Sequence, residues 1–170
     1  MRRDPDQQAT SERDALGQYL DYQRETILLK TDGLTREQLG RRIPTSDLTL
    51  AGIVYHLALN EEDWLEVRFL GLPEREDWQG IDWKADPDYE FRTALTKEPD
   101  WLRRRYREAC DRARQAAASA DSLDQLSVDT LSDDKRFTLR WVLLHLIEET
   151  ARHAGQADLL REAIDGTVGE

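Results

Sequence analysis

The chain has 170 residues, 39% of them apolar and 35% charged, and a formal net charge of −11 at pH 7. That length fits a single domain over residues 1–170 built round one core, and so acidic a surface repels phosphate backbones and anionic lipid, which argues against nucleic-acid and membrane partners. Its one cysteine, Cys110, excludes an intrachain disulfide; no apolar stretch is long enough to span a bilayer, and the charged start Met1-Arg2-Arg3-Asp4 is not followed by the apolar run of a secretory signal, so a cytoplasmic location is expected.

Helix formers dominate and β-branched runs are absent, so the expected elements are helices. Residues 1–10 are polar and predict a frayed lead-in. Ser11 and Asp14 supply an N-cap and a first-turn acid for a helix with Leu16, Tyr19, Leu20, Ile27 and Leu28 on its apolar side, stopped by Asp32-Gly33. Thr35 caps a short helical turn from Arg36 to Gly40, and Pro44 ends it. Thr49 or Asp47 caps a second long helix, whose apolar set is Leu50, Ile53, Val54, Leu57, Trp64 and Leu65 and which Gly71 and Pro73 close.

Residues 72–97 hold Pro73, Trp78, Gly80, Trp83, Pro87, Tyr89 and Phe91 among several acids, and predict a long irregular loop. Loops of that length in compact domains often serve as lids or interface arms. The aromatic content predicts packing on the protein's own helices or on a second subunit. Glu98, Pro99 and Asp100 open a third long helix with Trp101, Leu102, Tyr106, Ala109, Cys110 and Ala113 facing inward, and it ends near Ala120-Asp121. Its basic strip Arg103-Arg104-Arg105 reads as a solvated face. A linker follows, with a turn at Asp133-Asp134. Thr138 then caps a fourth long helix carrying Leu139, Val142, Leu143, Leu146, Ile147, Leu159 and Leu160, with Gly166 as its stop. Four long amphipathic helices predict an all-α fold, a four-helix bundle with a long irregular loop between the second and third helices.

The residues that carry chemistry fall in two of these helices. Glu149 and His153 are four apart and point the same way; they read either as a helix-surface pair or as two ligands to one metal ion. The chain has three histidines, and His56 lies near the apolar stripe of the second long helix, either as a satisfied core residue or as a ligand. Bundle interiors assemble metal sites from Glu and His on facing helices. His56, Glu149 and His153 are thus the candidate ligands of an open, three-ligand divalent-metal site.

His145 continues the ridge, but eight residues advance a helix by about 12 Å, so His145 and His153 do not share an ion. His145 is expected in the core or beside the ligands, and with Asn60 and Asp63 it is a candidate for orienting them. Cys110 reads as a small buried hydrophobe rather than a nucleophile. Of Trp64, Trp78, Trp83, Trp101 and Trp141, most are expected in the core. P-loop, GxGxxG, HExxH and paired CxxC motifs are all missing.

Two segments are familiar as a pair. Leu144–Glu162 (LHLIEETARHAGQADLLRE), followed by Ile164-Asp165-Gly166, and Thr49–Ala58 (TLAGIVYHLA), followed by Glu62 and Trp64, resemble the DinB/YfiT-like superfamily. Within it they resemble the actinobacterial branch related to the metal-binding domain of mycothiol-dependent maleylpyruvate isomerase. The resemblance covers nearly the whole chain. It implies a bundle of up-down-down-up connectivity and a metal triad at His56, Glu149 and His153, with Glu149 where many relatives carry histidine. Some relatives also have histidine at the position of Gln156. The isomerase's additional C-terminal domain has no room here, so isomerase activity is not expected.

Two imidazoles and a carboxylate suit Zn²⁺ first and also Ni²⁺, Fe²⁺ or Mn²⁺. The resemblance further implies a homodimer that uses a low-molecular-weight thiol, mycothiol or bacillithiol, together with an electrophile. The expected function is a metal-dependent thiol S-transferase. The alternatives are a metal-dependent hydrolase and a non-enzymatic metal-binding or dimerising stress protein.

Overall fold

The computed structural model describes residues 3–130 and 135–169. Among these residues the fold is all-α, with six α-helices and one π-helical segment: α1 (Glu12–Lys30), α2 (Arg36–Leu39), α3 (Leu50–Glu62), the π segment (Asp63–Phe69), α4 (Tyr89–Ala94), α5 (Pro99–Ser119) and α6 (Leu139–Asp165). There is no sheet among them, and two isolated bridges, Ile43–Ser46 and Leu126–Thr138, are the extended pairings present. The four long helices expected are α1, α3, α5 and α6, but a simple four-helix bundle omits α2, α4 and the π segment that prolongs α3. The loop expected over 72–97 is likewise interrupted by α4. The turn at Asp133-Asp134 lies outside the described residues, as do Met1 and Arg2.

Local chemistry sets the helix ends. The Ser11 side chain accepts a hydrogen bond from the Asp14 amide, Thr35 and Gln38 form a reciprocal capping box, and Thr138 accepts from the Trp141 amide. At α3 the cap is Thr49, which accepts from the Gly52 amide. Gly166 ends α6 in the left-handed region at φ 79°, a conformation that costs a residue with a Cβ more than it costs glycine. No helix of the described residues is long and apolar enough to cross a membrane.

α1 packs chiefly on α6 and α3 chiefly on α5, while α3 also meets α4 and α6. The apolar interior forms two clusters. One contains Ile27, Ile53, Leu57, Leu102, Tyr106 and Leu160; the other contains Leu20, Leu65, Phe69, Ala113, Leu143 and Leu146. A polar layer divides them. Along α1 it falls at Arg24, between Leu20 and Ile27, and along α3 it falls at Glu61 and Glu62, between Ala58 and Leu65.

Arg24 donates from Nε and Nη2 to the two Glu61 oxygens at 2.6 and 2.5 Å, with both residues almost wholly buried. Burial alone works to lower the Arg24 pKa, but the Glu61 carboxylate outweighs it and holds the guanidinium charged. Glu62 receives Arg105 bidentately at 2.5 and 2.7 Å and the Trp78 indole N–H at 2.7 Å, and it also pairs with Arg112.

This layer corrects one expectation. The strip Arg103-Arg104-Arg105 is not one solvated face: Arg104 is exposed, while Arg105 is buried on Glu62. Local pattern cannot separate the two outcomes, because the partner comes from another helix. The tryptophans lie mostly in or against the core, as expected. Trp78 is buried, Trp64, Trp83 and Trp101 are partly buried, and Trp141 is 42% exposed. The segment that carries Trp78 packs on the protein's own helices, held by Arg75 on Glu66 at 2.6 Å, Asp77 on Arg105 at 2.8 Å, and the Trp78 ring against Tyr55 at 4.6 Å.

Cys110 is buried as expected, beside Glu61 and Tyr106. Burial and the Glu61 charge push its thiol far above the ordinary range. The folded protein is expected to give no reaction with a disulfide thiol reagent at pH 8 and one equivalent after denaturation in guanidinium. Rapid labelling of the native protein would show that the thiol is accessible.

Candidate metal centre

α4 flanks a site between α3 and α6. His56 projects from α3, and Glu149 and His153 from successive turns of α6. The Nε2 atoms of His56 and His153 each lie 3.3 Å from Glu149 Oε1, and one ligand atom from each of the three residues lies within 4.8 Å of the other two. The two imidazole rings meet edge to face at 5.1 Å. The i,i+4 spacing therefore does place Glu149 and His153 on one edge, and the ring of His56 turns toward that edge rather than toward solvent.

The donor set fits a divalent cation. Ligands about 2.0–2.1 Å from a tetrahedral ion stand about 3.3 Å apart, the separation that both imidazoles make with Glu149. His153 is buried, and burial together with the neighbouring His56 charge lowers its pKa below the usual histidine value; Glu149 and Gln156 work against the shift. A lowered pKa keeps the imidazole neutral, as a metal ligand must be. Burial works to raise the Glu149 pKa, but the side-chain contact with His56 and the favourable field of the His153, His56 and His145 imidazoles outweigh it and hold the carboxyl below its ordinary value. Two imidazole nitrogens and one carboxylate oxygen thus face a common point.

The surroundings separate the remaining candidates. Asn60 does reach the site, with its Nδ2 2.8 Å from His56 Nε2. Asp63 does not, and instead accepts from Arg68 Nε at 2.6 Å. His145 stacks on Trp141 at 5.2 Å and meets Trp64 edge-on at 4.5 Å, so it belongs to an aromatic cluster beside the site.

Two residues absent from the sequence-based set complete the picture, both from α4. Glu90 is buried, and its Oε1 lies 3.0 Å from His56 Nδ1. Phe91 stacks on the His56 ring at 4.9 Å and 24°. A Cβ at Gly52 would stand 2.8 Å from Phe91 Cδ1, so glycine is what lets the ring settle against α3. The signal for α4 was a short window free of Gly and Pro after Pro87-Asp88. Its pairing with His56, 34 residues away, leaves no trace in spacing. Phe91 also lines a surface cavity of about 420 Å³ with Arg42, Asp47, Thr49, Arg92 and Leu95.

No curated protein matches the chain. A family model described as mycothiol-S-transferase matches residues 15–166, a span that takes in most of α1, all of α2 through α6 and all three residues of the cluster. On that match the chain belongs to the mycothiol-S-transferase family of the DinB/YfiT-like superfamily.

Proposed function

We propose that this protein is a divalent-metal-dependent thiol S-transferase, with His56, Glu149 and His153 as the metal ligands and a low-molecular-weight thiol, mycothiol or bacillithiol, as co-substrate. The single observation that carries the reading is the convergence of two imidazole nitrogens and a carboxylate oxygen within 4.8 Å, in a chain of this family. Zinc is the preferred metal, with nickel, iron or manganese as alternatives that the same donors would accept. A bound divalent ion supplies Lewis acidity that favours the thiolate over the thiol.

The chain's own residues do the rest. Glu149 contributes the one negative charge of the ligand set and His153 a neutral, buried nitrogen. The Asn60 amide, aimed at the same point, is placed to donate to a bound sulfur or to an electrophile's oxygen. The thiolate sulfur forms a bond to the electrophilic carbon, the leaving group departs with its electron pair, and the thiol proton passes to solvent.

The wider reading includes a single domain over 1–170 with up-down-down-up long helices, a cytoplasmic setting and a homodimer. Exposed Trp141 and Leu144 on α6 support the last of these.

The test uses zinc-loaded protein, mycothiol and 1-chloro-2,4-dinitrobenzene. Thioether and chloride are expected to appear only when the thiol is added, and His56→Ala is expected to fall to the uncatalysed rate. Turnover without thiol, releasing the dinitrophenol, would favour a hydrolase. Absence of stoichiometric metal would favour a non-enzymatic protein.

A further inference from the structure

We propose that α4 is the positioning element for His56, and that Glu90 fixes which nitrogen of its ring is free to bind metal. The inference rests on the metal reading above but is tested on a separate property. Neutral imidazole carries one N–H, and the partner of that N–H decides which nitrogen keeps its lone pair. Glu90 Oε1 stands 3.0 Å from His56 Nδ1. Both ring nitrogens face a carboxylate, which only accepts, but Glu149 Oε1 is the farther one, 3.3 Å from Nε2, and the Asn60 amide nitrogen, which only donates, stands 2.8 Å from Nε2; the N–H therefore goes to Nδ1 and the lone pair stays on Nε2, the atom that faces Glu149 and His153.

Burying a carboxylate is unfavourable unless a partner compensates. Glu90 is 4% exposed, yet its Oε2 has no hydrogen-bond partner among the described residues, and no ion pair with a lysine or arginine involves it there. The other buried glutamates, Glu61, Glu62 and Glu66, are each held by arginine. Glu90 therefore does not belong to the structural charge layer, and its side-chain contact is to a ligand candidate. Phe91, the next residue, lies along the face of the same ring. One short helix thus fixes both the tautomer and the plane of His56, and Gly52 makes room for it. Partners of this kind orient metal-bound histidines and raise their basicity. Glu90 is a positioning residue: it acts through His56 and touches no substrate.

The test is made on ¹⁵N-labelled, metal-free protein at pH 8, with His56 assigned from its loss in His56→Gln. Long-range ¹H–¹⁵N spectra are expected to show His56 protonated at Nδ1. Glu90→Met, which keeps length and removes the acceptor, is expected to shift His56 toward the Nε2–H form and to weaken Zn²⁺ binding about 10–100-fold. Glu90→Gln still offers an oxygen, and is expected to retain the Nδ1–H form and lose less affinity than Glu90→Met. A folded Glu90→Met with unchanged tautomer and affinity overturns the proposal, as does a lowered melting temperature alone. If Glu90→Met does not fold, the native spectrum still decides, because an Nε2–H form there overturns it. Native protein that binds no Zn²⁺ sinks the metal reading, while the tautomer remains the measure of the hold by Glu90.

Discussion

Glu149→Ala is expected to abolish stoichiometric metal binding and leave the helices intact. Losing a group that merely orients a ligand already costs about 10–100-fold in affinity, so losing one of three ligands is expected to cost more than about 100-fold by the same measure. Glu149 is partly exposed, and its recorded contacts are to the two imidazoles, so its removal strands no buried charge. Metal analysis after equilibrium dialysis, with far-ultraviolet circular dichroism as the fold control, checks both halves. Unchanged metal content in the folded variant would take Glu149 out of the ligand set. A variant that binds no metal because it is unfolded would show that Glu149 holds the bundle together.

Glu61→Leu is expected to be among the most destabilising single substitutions in the chain. It leaves the Arg24 guanidinium, 3% exposed, with Asp21 as its remaining recorded partner at 2.8 Å. Breaking a buried pair on one side costs about 3–5 kcal/mol, because an uncompensated charge is left in the interior. The double variant Arg24→Met/Glu61→Leu is expected to recover most of that loss, since two apolar side chains of similar volume replace two charges. Urea titrations of the three proteins measure the effect through their midpoints and slopes. A single-variant loss below about 1 kcal/mol would place the pair in the weak class of solvent-screened ion pairs. A double variant no more stable than the single one would show that the polar layer is needed for packing in register.

The parts legible in the sequence are those set by short-range chemistry. Ser11, Thr35 and Thr138 cap helices by bonding amides three residues on, and Gly166 stops α6 through its own backbone. Glu149 and His153 share an edge because helical rise and turn put them there. His56 was legible only through its neighbours, as a histidine near an inward stripe in a chain expected to be helical. Glu90 and Phe91 were not legible: α4 is too short for a periodic signal, and nothing local links Glu90 to a ring on another helix. Arg105 failed for the same reason. Three consecutive arginines look alike in sequence, and only Glu62 on α3 selects one of them for burial.

By itself the sequence determined an all-α chain, the N-terminal caps of the long helices, the buried thiol and the shared edge of Glu149 and His153, because propensity, capping and i,i+4 geometry act within a few residues. The tertiary structure alone decided the register of α3 against α6 that brings His56 Nε2 to 3.3 Å from Glu149, the helix that grips the other nitrogen of that ring, and which charges are buried. Those outcomes depend on contacts between residues 34 to 93 positions apart. At such separations the chain entropy and desolvation costs are met only once the whole core has packed.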